Sequence, residues 1–97
     1  MGRAAAMRVS VLIPVYNERF FLRELVRRVY EQSAMIHEVV VVDDGSVDGS
    51  RERIAALEKR YGGHQVPLRA VYKGKNEGKG AALLAGLSQI TGDVVLI

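Results

Sequence analysis

The sequence predicts an α/β domain on a mostly parallel sheet, in the order β-α-β-α-β-α-β. Three observations carry this reading. Short runs rich in β-branched residues alternate with stretches whose apolar residues recur at helical spacing. The run Val39–Val42 is apolar at consecutive positions, as in a strand covered on both faces. The connections are short, so successive strands are joined through right-handed helical crossovers.

The elements follow in order. Residues 7–14 (MRVSVLIP) form a strand closed by proline. From Asn17 the pattern becomes helical, with Phe21, Leu22, Leu25, Val26, Val29 and Tyr30 on one face and Arg and Glu on the other. Asn17 is the expected N-cap, although Phe20 stands where a capping box has Glu or Gln. Residues 38–44 (EVVVVDD) are the second strand. A second helix follows, capped by Ser46 or Asp48, with Ile54, Ala55, Leu57 and Tyr61 inward, and Gly62–Gly63 stops it. Residues 67–72 form a third strand, 81–90 a third helix ended by Thr91–Gly92, and 93–97 a fourth strand.

No repeat, linker or low-complexity tract interrupts this order. Residues 1–6 are expected to be a tag or a disordered N-terminus. With the sequence ending inside an apolar strand, residues 7–97 are expected to be the N-terminal part of a larger domain.

The 97 residues carry a net charge of +3 and no cysteine, which excludes a disulfide framework or a thiolate metal site and suits a cytoplasmic address. No apolar run approaches the roughly 20 residues of a membrane span. The arginines of the first two helices read as solvated faces, and the lack of interleaved aromatics argues against nucleic acid. His37 and His64 are isolated and lack metal-ligand spacing.

In an open parallel sheet, ligands bind beyond the C-terminal strand ends. Three strands here end in unusual residues: Pro14-Val15-Tyr16-Asn17-Glu18, Asp43-Asp44-Gly45-Ser46-Val47-Asp48, and Lys73-Gly74-Lys75-Asn76-Glu77-Gly78-Lys79-Gly80. Topology brings all three to one edge. Tyr16 offers a flat face for a base, and Asn17 or Glu18 can hydrogen-bond a base or ribose. Asp44 can accept from a nucleobase N–H or ribose hydroxyls, and Gly45 and Ser46 shape the turn after it. Gly78 and Gly80 let backbone amides approach an anion at a helix N-terminus, where Lys79 adds charge for a diphosphate. The plainer readings are a packed aromatic for Tyr16, caps for Asn17 and Asp48, a loop acceptor for Asp43, and solvated Lys73 and Lys75.

Three familiar patterns fail. The stretch GKNEGKG has the wrong glycine spacing for a P-loop and lacks its hydroxyl residue. A calcium loop opening at Asp44 would need a glutamate where Ala55 stands. A dinucleotide fingerprint would need glycines after the first strand, where PVYNE stands.

LIPVYNE (12–18), VVVVDDGSVDGS (39–50), NEGKGAAL (76–83) and GDVVLI (92–97) together resemble the inverting family-two glycosyltransferases of the GT-A fold. The likeness is greatest to dolichyl- and undecaprenyl-phosphate sugar transferases. The resemblance implies a Rossmann-like nucleotide-binding half in which Pro14, Tyr16 and Glu18 line the nucleotide pocket and Val42 and Asp44 contact base and ribose. It implies a UDP- or GDP-sugar donor, a lipid-phosphate acceptor, and Mg2+ or Mn2+ held by residues beyond Ile97. It also implies no catalytic residue within these 97, so that this stretch alone has no transferase activity. Membrane association would come through other regions or the acceptor, at the cytoplasmic face. The alternatives are a non-catalytic nucleotide-binding α/β module and, less in keeping with PVYNE after the first strand, a nucleotidyltransferase.

Overall fold

The computed structural model describes residues 8–97; the expectation for residues 1–6 lies outside them. The elements are β1 (Val9–Val15), α1 (Leu22–Tyr30), a single 3-10 turn (Ser33–Met35), β2 (Glu38–Asp43), α2 (Ser50–Tyr61), β3 (Leu68–Tyr72), α3 (Lys79–Leu87) and β4 (Asp93–Leu96). The sheet order is β3-β2-β1-β4, and every neighbouring pair is parallel.

Side-chain alternation splits the core into two layers. Val11, Ile13 and Val15 of β1 and Val39 and Val41 of β2 face α1 and α2, where they meet Leu22, Val26 and Ile54. Leu12, Val40 and Val42 face the other way and pack on Ala82 of α3. All four valines of β2 are fully buried. Each contributes roughly 1.5–3 kcal/mol relative to an exposed position. That is why β2 reads as an unbroken apolar run.

Pro14 lies inside β1, paired with Val42, rather than closing the strand. The carbonyls of Val9 and Val15 accept from His37 and Asp44 on the β2 side. By alternation Pro14 faces the β4 side, past the last β1–β4 pair at Leu12–Leu96, so its missing N–H costs no ladder bond.

Helix α1 starts at Leu22, four residues later than expected, and Asn17 is not its cap. Asn17 has φ 53°, and the N–H groups of Phe21 and Leu22 both turn back to the Glu18 carbonyl. Phe21 is consequently 70% exposed instead of facing the core. Helix α2 starts at Ser50 behind Gly49, whose φ is 99°, so neither Ser46 nor Asp48 is its N-cap. Asp48 acts one residue further out, its Oδ1 accepting from the N–H and Oγ of Ser50 at 2.9 and 2.6 Å. Ala55 is exposed, whereas Ile54 and Leu57 are buried. Helix α3 begins two residues earlier than expected, at Lys79, and β2 stops at Asp43.

The N-terminal end of the sheet is tied by a buried carboxylate. Glu38 is 2% exposed, yet its Oε2 accepts from Ser10 Oγ (2.6 Å), Thr91 N (2.7 Å) and Thr91 Oγ1 (2.9 Å). Its Oε1 pairs with Arg69, which also donates to the Gln89 carbonyl. One side chain thus joins β1, β2, β3 and the α3–β4 turn.

Candidate functional site

At the opposite, C-terminal edge of the sheet lies a cavity of about 520 Å³. Pro14, Leu22, Leu25 and Ala82 supply its apolar walls. Tyr16, 45% exposed, stands at its rim with Glu18, while Asp44, Asn76, Gly78 and Lys79 close another side. Six of the ten residues singled out on sequence therefore line one space: Pro14, Tyr16, Glu18, Asp44, Gly78 and Lys79. Asn17, Val42, Gly45 and Ser46 do not. Val42 has no exposed surface and packs with Leu12 and Ala82 beneath α3.

The other three serve the walls. Asn17 N–H donates to Ser46 Oγ, Glu18 N–H to Ser50 Oγ and Arg19 N–H to Asp48 Oδ2, at 2.9, 2.9 and 3.3 Å. In return Asn17 Oδ1 accepts from Val47 N–H at 2.9 Å. Alternate polar residues 46, 48 and 50 of one loop thus hold three consecutive amides of the other. This zipper was missed in the sequence, although Ser, Asp and Ser at every second position were its visible signal.

Asp44 performs a similar task across the cavity. Its Oδ1 and Oδ2 accept from the N–H groups of Glu77 and Gly78, each at 3.1 Å. Lys73 Nζ lies 3.9 Å from Oδ1 and 2.5 Å from Glu77 Oε1. That lysine, through its hydrogen bond and charge, holds the Glu77 carboxyl below the usual range. Lys73 is therefore an internal counter-ion, not a solvated charge. Asp44 is only 4% exposed but still lines the cavity, so it fixes the 73–78 loop while presenting carboxylate to any occupant.

Gly45 sits under the same loop. Its φ is 78°, and an added Cβ would stand 2.5 Å from Asn76 N and Lys75 C. Gly45→Ala is expected to cost about 2 kcal/mol, through left-handed backbone and displacement of the loop. Thermal unfolding with an amide spectrum of residues 73–79 measures both effects; unchanged loop shifts would refute the contact.

At the cavity wall, α3 opens at Gly78, whose φ is 97°. The amides of a helix's first turn have no intrahelical acceptor, and the dipole is positive there. With Lys79 beside them, these amides suit an anionic group. Tyr16 and the apolar walls suit a flat ring.

The carboxylates do not fit a divalent metal ion. Asp43 and Asp44 point to opposite faces of the sheet, and Asp44 already has Lys73 as a counter-ion at 3.9 Å. Asp43 is fully buried; its Oδ2 accepts from Ser46 N–H at 3.1 Å and lies 3.6 Å from Arg51. Its Oδ1 is buried with no hydrogen-bond partner, and Asp43 is not among the residues lining the cavity. Among the described residues no three His, Cys, Asp or Glu side chains form a metal-binding group, and no helix is long and apolar enough to cross a membrane.

The model of the family described as glycosyl transferase family 2 matches residues 10–97. An undecaprenyl-phosphate 4-deoxy-4-formamido-L-arabinose transferase from Sodalis glossinidius is 42% identical over 92 residues, 92% of this chain and 27% of that protein. Its namesake from Klebsiella pneumoniae is 39% identical over the same shares. Among solved structures, a mannosyltransferase from Pyrobaculum calidifontis in complex with GDP-Man and Mn2+ superposes with a TM-score of 0.81 at 32% identity. The likeness covers 94% of this chain and 27% of the mannosyltransferase, a GT-A enzyme. The chain spans about a quarter of the length of the curated relatives it matches.

Proposed function

Because the chain belongs to glycosyl transferase family 2, we propose that its cavity holds the nucleotide of a UDP- or GDP-sugar whose sugar passes, with inversion, to a polyprenyl phosphate. The observation that carries this reading is the convergence of three strand ends on one cavity that joins an aromatic rim, carboxylates and a cationic helix N-terminus. The relatives' names support the lipid acceptor, and the GDP-Man complex of the mannosyltransferase supports the donor class. On this reading residues 7–97 are the nucleotide-sugar-binding part of a larger glycosyltransferase domain.

Each residue then has a task. Tyr16 stacks on the base against the apolar wall of Pro14. Glu18 and Asp44 accept from base or ribose donors, and Lys79 with the first amides of α3 meets the diphosphate. Asn17, Gly45 and Ser46 act indirectly, by holding the loops that carry these groups, and Val42 supports the cavity floor. These residues bind and orient the donor; bond cleavage and metal binding are assigned to other parts of the enzyme, at the cytoplasmic face of a membrane.

Amide NMR titration with UDP and GDP tests this. Resonances at residues 15–18, 44 and 78–79 are expected to move with one nucleotide, with little dependence on Mg2+. Lys79→Ala should weaken the nucleoside diphosphate by about tenfold, the effect of one charge-assisted hydrogen bond, and leave the nucleoside unaffected. A dispersed spectrum indifferent to both nucleotides would overturn the assignment.

A further inference from the structure

Away from the cavity, on the outer side of the helical layer, α1 and α2 enclose a groove of about 260 Å³ lined by Arg23, Arg53, Ala56, Leu57 and Arg60. These arginines read on sequence as part of a solvated face. The structure separates them from their neighbours. Arg27 and Arg28 are held by Glu24 and Glu31, and Arg51 is bound to the Lys73 carbonyl beside Asp43. Among the described residues, Arg23, Arg53 and Arg60 have no carboxylate within ion-pair distance, and no acidic residue lines their groove. Three like charges line one groove without a carboxylate between them, although the Arg60 guanidinium also lies 5.3 Å from the centre of the Tyr61 ring.

A second feature lies in the turn that leads into α1. Phe20, three residues before Arg23, is 79% exposed. The Arg19 guanidinium lies 4.8 Å from the centre of its ring while donating to the Asp48 carbonyl at 3.1 Å. An exposed aromatic ring three residues before an arginine that has no carboxylate partner matches a membrane interface, where the ring enters the headgroup layer and guanidinium groups take lipid phosphates.

We propose that the α1–α2 face, through Arg23, Arg53, Arg60 and Phe20, docks on an anionic phospholipid surface. A nucleic acid would meet the same charge, but one ring offers no series of stacking platforms. The choice of lipid also rests on the reading of a lipid-phosphate acceptor. Docking here would bring the chain to the layer that carries such an acceptor. It would add a contact that needs no membrane-spanning segment.

Vesicle flotation of the full chain is the test, with phosphatidylcholine alone and with 30% phosphatidylglycerol. Binding is expected only to the anionic vesicles. Replacing Arg23, Arg53 and Arg60 together by glutamine should lower it on the order of 100-fold, and Phe20→Ser should lower it further at high salt, where charge is screened. Circular dichroism and the nucleotide titration of the triple variant serve as controls. A folded triple variant that binds nucleotide and still floats with anionic vesicles overturns the docking face but leaves the donor site standing. No flotation of the parent chain, or displacement from vesicles by an oligonucleotide of equal charge with no effect of Phe20→Ser, overturns it as well. Loss of nucleotide binding in the parent chain instead strikes the donor reading.

Discussion

Glu38→Ala is expected to lower stability by about 2–3 kcal/mol, the range for leaving buried hydrogen-bond donors without their acceptor. The loss would leave Arg69, Ser10 and Thr91 without their common acceptor. In a chain this small that is much of the total, so the variant should be largely unfolded near 37 °C. Glu38→Gln, which keeps an acceptor but not the charge, should lose less. Burial pushes the Glu38 carboxyl upward, but hydrogen bonds from Ser10 and Thr91 and the Arg69 charge outweigh it, and the net shift is downward. A carboxyl depressed in the folded state contributes its full stability above its unfolded value of about 4.3. That contribution disappears as pH falls through the lower folded value. Denaturant unfolding at pH 7 and near pH 3 should therefore show a steeper loss for the parent chain than for Glu38→Gln. Parallel losses would show that the charge contributes nothing.

Asp44→Ala is expected to abolish nucleotide binding, a loss of at least about 100-fold. It removes both a ligand-facing carboxylate and two charge-assisted hydrogen bonds to the loop. The amides of Glu77 and Gly78 should become fast-exchanging, because their acceptors are gone. Asp44→Asn separates the two effects. An amide keeps one acceptor for the loop but weakens the attraction to Lys73, so the loop should stay ordered while affinity falls. Nucleotide titration read together with exchange at residues 77 and 78 decides the matter. Intact affinity with a disordered loop would show that Asp44 is structural alone.

The alternation of elements was legible because β2 and α3 are simple: one is apolar from Val39 to Val42, and the other opens just after a glycine. The entries to α1 and α2 were not. Asn17 and Asp48 look like caps by residue type, and both do bond backbone amides, but across loops or one residue outside the helix. Local preference identified the chemistry and missed its partner, because the partner lies 29 or more residues away. Phe21 misled for a related reason: helical spacing counts it on the core face, while the turn at Glu18 directs it to the cavity. The convergence of three strand ends was readable from topology. The division between residues that line the cavity and residues that brace it was not, because it depends on side-chain direction at Asn17, Val42 and Ser46.

The placement of β4 beside β1 has a kinetic consequence. Strands β1, β2 and β3 join through crossovers of ordinary length, whereas Gly92 N–H meets Ser10 Oγ across 82 residues of chain. Closing so long a loop carries an entropy cost that nearer contacts must first offset. The Glu38 acceptor at the centre of that closure is already in place once β1 and β2 have paired. The fourth strand is thus expected to dock last, onto the three strands whose shorter crossovers close first.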